Sequence, residues 1–393
     1  MTANRPLNLV RAKTSFGKRL WDPDCRRPLL RKDAFSLPNS IGRRSNSPPC
    51  ASISARARFY GGRLLRQQKS KRSTKSAVRR RPRRPPTENV SMSISGSYGL
   101  VSYDFDGKLL WERRLPLSQN IYGAVASPIV AGDLLVLNHQ GKDAYLLAVN
   151  RRDGKTVWKT DRSKFQYGWS TPVYWRHDGI DEIVVLGGDF GPNQRLMAYN
   201  LADGAERWWV AGLPPCGKST PVIGGDMVFF AAPDIILNVE AEKRNPERAA
   251  QFYANNASRV MAIRPGGKSE VSQTHVAWTQ TKGVPGVPSP LYYNGRIYTV
   301  LNGGIVFSRV AKTGELVYSG RTGAMGYYYS SPVAADNKIY LASEEGVVVV
   351  LDGGEELKVL ARNKLNGQIL ATPAIVDGKI YVRTEDYLYA FGR

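Results

Sequence analysis

Short apolar runs closed by turn-forming residues recur along residues 92–393. The runs at 134–137, 182–188, 227–232, 296–301, 338–343 and 379–384 are rich in β-branched and aromatic side chains and are predicted as strands. Each is preceded by a polar or glycine pair: Gly132-Asp133, Asp178-Gly179, Gly225-Asp226, Asn294-Gly295, Asp336-Asn337 and Asp377-Gly378. Tight hairpins need positive φ, which Gly, Asn and Asp tolerate. Each pair therefore predicts an antiparallel hairpin.

The pattern repeats with a long period. A Ser/Thr-Pro pair opens each unit, at Ser127-Pro128, Thr171-Pro172, Thr220-Pro221, Ser289-Pro290, Ser331-Pro332 and Thr372-Pro373. The spacings are 44, 49, 69, 42 and 41 residues, a period that fits one four-stranded propeller blade per unit. Later in the unit an aromatic follows a turn glycine by four residues: Gly107 and Trp111, Gly154 and Trp158, Gly204 and Trp208, Gly314 and Tyr318. In the 69-residue unit the turn is stretched, and Gly266-Gly267 precedes Trp278 at a longer distance. One blade cannot bury both faces of its sheet alone, and a large flat side chain on the outer strand can wedge against its neighbour. Trp111, Trp158, Trp208, Trp278 and Tyr318 are expected to dock blades, a structural role without a ligand.

Residues 148–158, AVNRRDGKTVW, resemble the tryptophan-docking repeat A-x-D-x-x-T-G-K-x-x-W, and 198–208 and 308–318 are degraded copies of equal length. With the Ser/Thr-Pro strands they resemble the pyrroloquinoline-quinone-like (PQQ-like) β-propeller repeat family, which includes BamB-type outer-membrane assembly proteins. The resemblance implies an all-β propeller with about six recognisable blades, partial blades at both ends, and seven to eight blade positions in the family. Two departures matter. The first unit starts within its second strand, and the last, near residues 370–391, stops before its docking strand. An open sheet edge and reduced stability are expected.

The formal net charge is +23, which suggests a nucleic-acid or anionic-surface binder, but it is unevenly placed. Residues 1–91 hold 24 of the 56 Lys and Arg and 4 of the 33 Asp and Glu, leaving the rest nearly neutral. The expectation is a disordered basic leader over 1–91 and a propeller over 92–393, with no nucleic-acid partner for the propeller. Three readings of the leader compete. It is a nucleic-acid tail using Arg79, Arg80, Arg81, Arg83 and Arg84, an organelle transit peptide, or a non-native stretch; the abrupt change of character at residues 91–96 favours the last. An insertion at about 234–258 carries a helix start at Asn245-Pro246 and predicts a short helix or lid over 238–253.

Catalytic signals are sparse. Cys25, Cys50 and Cys216 include no adjacent pair, and no metal-type Cys or His spacing, haem-attachment motif, P-loop or G-x-S-x-G elbow occurs. His177 reads as a solvated turn residue, and Gly187 to Gly191 as a hairpin. No enzyme, metal or cofactor is expected; quinone and Ca²⁺ enter only under the alternative, a quinone-dependent dehydrogenase-like or small-ligand-binding propeller. The loops before each Ser/Thr-Pro pair should ring the central channel. There Trp169, Lys218, Tyr327 and Tyr329 are candidates for an aromatic and cationic rim, unless they simply plug the channel. The leading expectation is a non-catalytic interaction scaffold. Its partner would be a protein or cell-envelope polymer, and the resemblance implies the periplasm or cell envelope. No stretch is apolar enough for a transmembrane helix.

Overall fold

The computed structural model describes residues 90–95, 99–104, 106–119, 123–188, 194–214, 217–233 and 258–392. The leader up to residue 89, the segment 234–257, Cys25, Cys50, Cys216 and the loop 189–193 lie outside the described residues. Every regular element among those described is a strand, and the strands form seven sheets, here taken as blades 1 to 7 in chain order.

Blade 1 comprises β1 (Val90–Ser95), β2 (Gly99–Asp104) and β3 (Leu109–Arg114). Blade 2 comprises β4 (Ile129–Ala131), β5 (Leu134–His139), β6 (Tyr145–Asn150) and β7 (Thr156–Asp161). Blade 3 comprises β8 (Val173–His177), β9 (Ile180–Gly187), β10 (Arg195–Asn200) and β11 (Glu206–Val210). Blade 4 is built from β12 (Val222–Gly224), β13 (Met227–Ala232), β14 (Arg259–Ile263) and β16 (Val276–Gln280), while β15 (Ser269–Glu270) leaves it to join blade 3. Blade 5 comprises β17 (Leu291–Tyr293), β18 (Arg296–Leu301), β19 (Ile305–Val310) and β20 (Leu316–Arg321). Blade 6 comprises β21 (Val333–Ala335), β22 (Lys338–Ala342), β23 (Val347–Asp352) and β24 (Val359–Lys364). Blade 7 holds β25 (Ala374–Val376), β26 (Lys379–Arg383) and β27 (Leu388–Gly392). The described residues thus contain five four-stranded blades, with a three-stranded sheet at each end. The sixth Ser/Thr-Pro unit is the last of these incomplete sheets.

Each blade is an antiparallel meander. Both central residues of the hairpins at Asp178-Gly179, Asn294-Gly295, Asp336-Asn337 and Asp377-Gly378 have positive φ. This is the mirror-image turn that matches strand twist. The second strands of blades 2 to 6 are largely buried on both faces, as in the all-buried β13, because a blade lies on each side, whereas β26 of blade 7 stays mostly accessible. The outer strands bury little beyond one aromatic: in β7 only Trp158 is fully buried.

The core is a chain of junctions rather than one centre. Six apolar clusters each span two successive blades, from Trp111 against Leu135 and Val149 to Val348 against Val382 and Phe391. At the junctions the outer-strand indoles follow one rule. Trp111, Trp158 and Trp278 lie on Gly154, Gly204 and Gly314 of the next blade. Their Nε1–H groups donate to the carbonyls of Arg151, Leu201 and Ala311, at 2.8–2.9 Å. Apolar burial and one satisfied donor are obtained together.

Two junctions differ. In blade 4 the stretched turn supplies β15, which pairs in parallel with β11, Trp208 opposite Ser269. Trp208 stays buried against Gly267, but its Nε1–H donates to Glu182 of its own blade at 3.1 Å. Tyr318 is buried between blades 5 and 6 with no hydrogen-bond partner for its hydroxyl among the described residues. At the C-terminal end, β27 is an edge strand, and Val376, Tyr387 and Leu388 of blade 7 are exposed.

Candidate functional site

The first strands of successive blades, from β4 to β25, pack side by side along the inner edge. The Ser/Thr of each Ser/Thr-Pro pair stitches this edge. The backbone N–H of Ser127 donates to Thr171 Oγ1 (3.2 Å), that of Thr220 to Ser289 Oγ (2.9 Å), that of Ser289 to Ser331 Oγ (2.9 Å), and that of Ser331 to Thr372 Oγ1 (3.0 Å). A hydroxyl in one blade thus satisfies a donor in the blade before it. The loops entering these pairs lie around the mouth of the propeller.

Exposed apolar side chains gather on those loops. Tyr327 is 58% exposed and Leu370 51%, and Val125, Met325 and Tyr329 are also exposed. The Tyr327 and Tyr329 rings stack at 6.3 Å and 26°. Between them Tyr328 turns inward, its hydroxyl donating to the Ala324 carbonyl at 3.0 Å and its backbone N–H to Asn302 Oδ1 at 3.0 Å. This anchors the strand-like alternation that throws its two neighbours outward. Glu344 links two of the loops: its N–H donates to the Tyr327 carbonyl (2.8 Å), and its carbonyl accepts from Ile369 N–H (3.2 Å). Partial burial, then the nearby Glu344 carboxylate, raises the Tyr329 phenol above its ordinary value.

The rim candidates divide. Tyr327 and Tyr329 share one patch, and Lys218 is exposed on its own loop. Trp169, by contrast, is 8% exposed, with its N–H bonded to the Gly217 carbonyl and its ring 6.0 Å from Tyr167. It fills space between loops and offers no open aromatic face. Met325 and Leu370 belong to the patch and were not among the rim candidates. Their loop position, just before a Ser/Thr-Pro pair, was the available signal.

His177 is not a solvated turn residue. It ends β8 with its side chain buried, 4.2 Å from the Trp175 ring, and its Nε2 lies 3.1 Å from Glu182 Oε2. Glu182 is 1% exposed and also accepts from Arg207 Nε (2.7 Å) and Trp208 Nε1 (3.1 Å). A buried carboxylate needs such partners. His139 is buried as well, stacked on Tyr145 at 4.4 Å. Burial lowers its pKa, Asp143 partly opposes this, and Lys159 adds to it. Among the described residues no group of three or more His, Cys, Asp or Glu converges as a metal site. No described helix is long and apolar enough to cross a membrane.

A succession of stacked antiparallel sheets, five of them four-stranded, joined by indoles on glycines, defines a PQQ-like repeat β-propeller. The chain belongs to the family described as "Outer membrane protein assembly factor BamB", whose profile matches residues 52–208 and 142–327. Among solved structures it is similar to BamB from Moraxella catarrhalis, with a TM-score of 0.55 and 15% identity over 77% of this chain and 81% of that one. It is also similar to the computationally designed Ika8 protein, with a TM-score of 0.48 and 10% identity over 78% of this chain and 93% of that one. No curated protein is matched in sequence.

Proposed function

We propose that the protein is a non-catalytic interaction scaffold of the bacterial cell envelope that presents the loops at the propeller mouth to a protein partner. The carrying observation is the exposed apolar patch of Met325, Tyr327, Tyr329 and Leu370, held in place by Tyr328 and Glu344. Exposed aromatics on a rigid frame are the side chains that anchor protein interfaces, because they bury large area at small cost in conformational entropy. The frame suits this role, since each loop is fixed at its base by the hydroxyl stitches. The family description supports an outer-membrane assembly setting and a protein rather than a polymer as partner. The reading requires no cofactor.

The test is site-specific crosslinking in cells. A photo-crosslinking residue at Tyr327 or Leu370 should trap a discrete outer-membrane assembly component, and the same residue at Val157 on the outer strand of blade 2 should not. Equal trapping at both places, or none at the mouth, would remove the basis for the reading.

A further inference from the structure

A second feature lies in the gap between blades 2 and 3, on the loop that leads from β7 to β8. A cleft of about 570 Å³ is lined by Asp161, Arg162, Lys164, Phe165, Arg195 and Glu206. We propose that this cleft binds a small molecule through a single carboxylate group, held by Arg162 and Arg195.

Arg162 begins the argument. It leaves the end of β7 and is 2% exposed. Its Nη1 donates to Asn138 Oδ1 at 2.6 Å and its Nη2 to the Leu186 carbonyl at 3.3 Å, while the buried Nε has no partner among the described residues. The protein is shaped around this group. A Cβ on Gly187 would lie 2.2 Å from Nη2, so a side chain there would displace the guanidinium. A cation so deeply buried, with neutral acceptors and one idle donor, is incompletely compensated.

The carboxylates that line the cleft, Asp161 and Glu206, leave its cations without a direct ion-pair partner. Among the described residues no carboxylate forms an ion pair with Arg162, Lys164 or Arg195. Phe165 lies near both guanidiniums, 5.9 Å from Arg162 and 5.7 Å from Arg195, and Arg195 also lies 5.1 Å from the Trp209 ring. The aromatic faces hold both cations in position without consuming their N–H donors. The planar fork of a guanidinium is the side-chain group that matches a planar carboxylate.

The charge count selects the class of ligand. Three cations and two carboxylates, Asp161 and Glu206, leave a net local charge of +1. That suits a monoanion, and the two carboxylates repel phosphate and other dianions. The volume fits a metabolite-sized molecule, since such pockets span roughly 300–1,000 Å³.

Isothermal titration of the whole protein, at matched ionic strength, tests the proposal with benzoate, an N-acetylated amino acid and inorganic phosphate as probes. A carboxylate should bind saturably at one site, and phosphate about tenfold more weakly or worse. Arg195→Gln, at a half-buried position, should weaken carboxylate binding about tenfold, and Glu206→Gln should strengthen it severalfold. Arg162 also ties two blades together, so these two variants carry the test if Arg162→Met does not fold. An amidated probe should not bind. Absence of saturable binding, equal affinity for phosphate, or indifference to Arg195→Gln would overturn the assignment.

Discussion

The indole of Trp158 lies so close to Gly204 of the following blade that a Cβ on that glycine would sit 2.5 Å from its Cε3. Gly204 also has φ +73°, where a side chain is strained. Gly204→Ala should therefore cost about 1–3 kcal/mol for overpacking and about 1–2 kcal/mol more for the left-handed backbone. Trp158→Ala removes the wedge itself and should cost about 3–5 kcal/mol. Urea denaturation of both variants checks this. A Gly204→Ala loss under about 0.5 kcal/mol would mean that the indole has room to retreat.

The hydroxyl stitches predict a smaller, localised effect. Ser331→Ala leaves the Ser289 N–H without its acceptor and should cost about 1 kcal/mol. Ser331→Thr keeps the hydroxyl and should restore most of the loss. Hydrogen exchange at the Ser289 amide gives a direct reading: it should quicken in the alanine variant and stay slow in the threonine one.

Glu182 serves three donors, and its removal should be severe. Glu182→Leu leaves the His177, Arg207 and Trp208 groups without their acceptor, and should cost about 3–5 kcal/mol although leucine is the more apolar residue. Replacing His177 and Arg207 by apolar residues in the same chain should recover part of this. If Glu182→Leu alone is neutral by thermal denaturation, the carboxylate is not the hub of the cluster.

Stability should fall at alkaline pH. Burial pushes the phenols of Tyr145 and Tyr318 up to about 12 from 10.0. Below pH 10 both states keep these protons, and the full contribution is present. Above pH 10 the unfolded chain releases them first, so stability declines until pH passes about 12. Tyr145→Phe should flatten that decline, as read from denaturation midpoints across this range.

His139 acts at the opposite end of the scale. Burial lowers its pKa below 6.5, so as pH falls through 6.5 the unfolded chain takes up a proton that the folded chain resists. Stability should decrease on acidification through that range. His139→Gln should lose this component while the carboxylate component at lower pH remains.

The repeat was legible because its determinants are local. Positive-φ hairpin pairs, Ser/Thr-Pro openings and a glycine four residues before an aromatic all lie within one unit of sequence. The class of fold and the positions of Tyr327 and Tyr329 followed from them. What escaped was set by neighbours distant in the chain. Trp169 occupies a rim position by period but is enclosed by the loop of Gly217. His177 sits in a turn-like string, WRHDG, yet is drawn inward by Glu182 across the hairpin. The cleft unites the end of β7 with the starts of β10 and β11, and no spacing rule joins Arg162 to Arg195.

The parallel pairing of β15 with β11 makes one junction unlike the rest. Separating blades 3 and 4 must break main-chain bonds, including Val271 N–H to the Trp209 carbonyl at 2.9 Å, along with the Ala211 N–H bond to Ser272 Oγ at 2.9 Å. At the other junctions the bonds between the blades' strands run through side chains, such as Trp158 Nε1–H to the Leu201 carbonyl and Ser289 N–H to Ser331 Oγ. Under mechanical load applied at its termini, the molecule should peel inward from its three-stranded ends and surrender this clasped pair last, as the residual force-bearing unit.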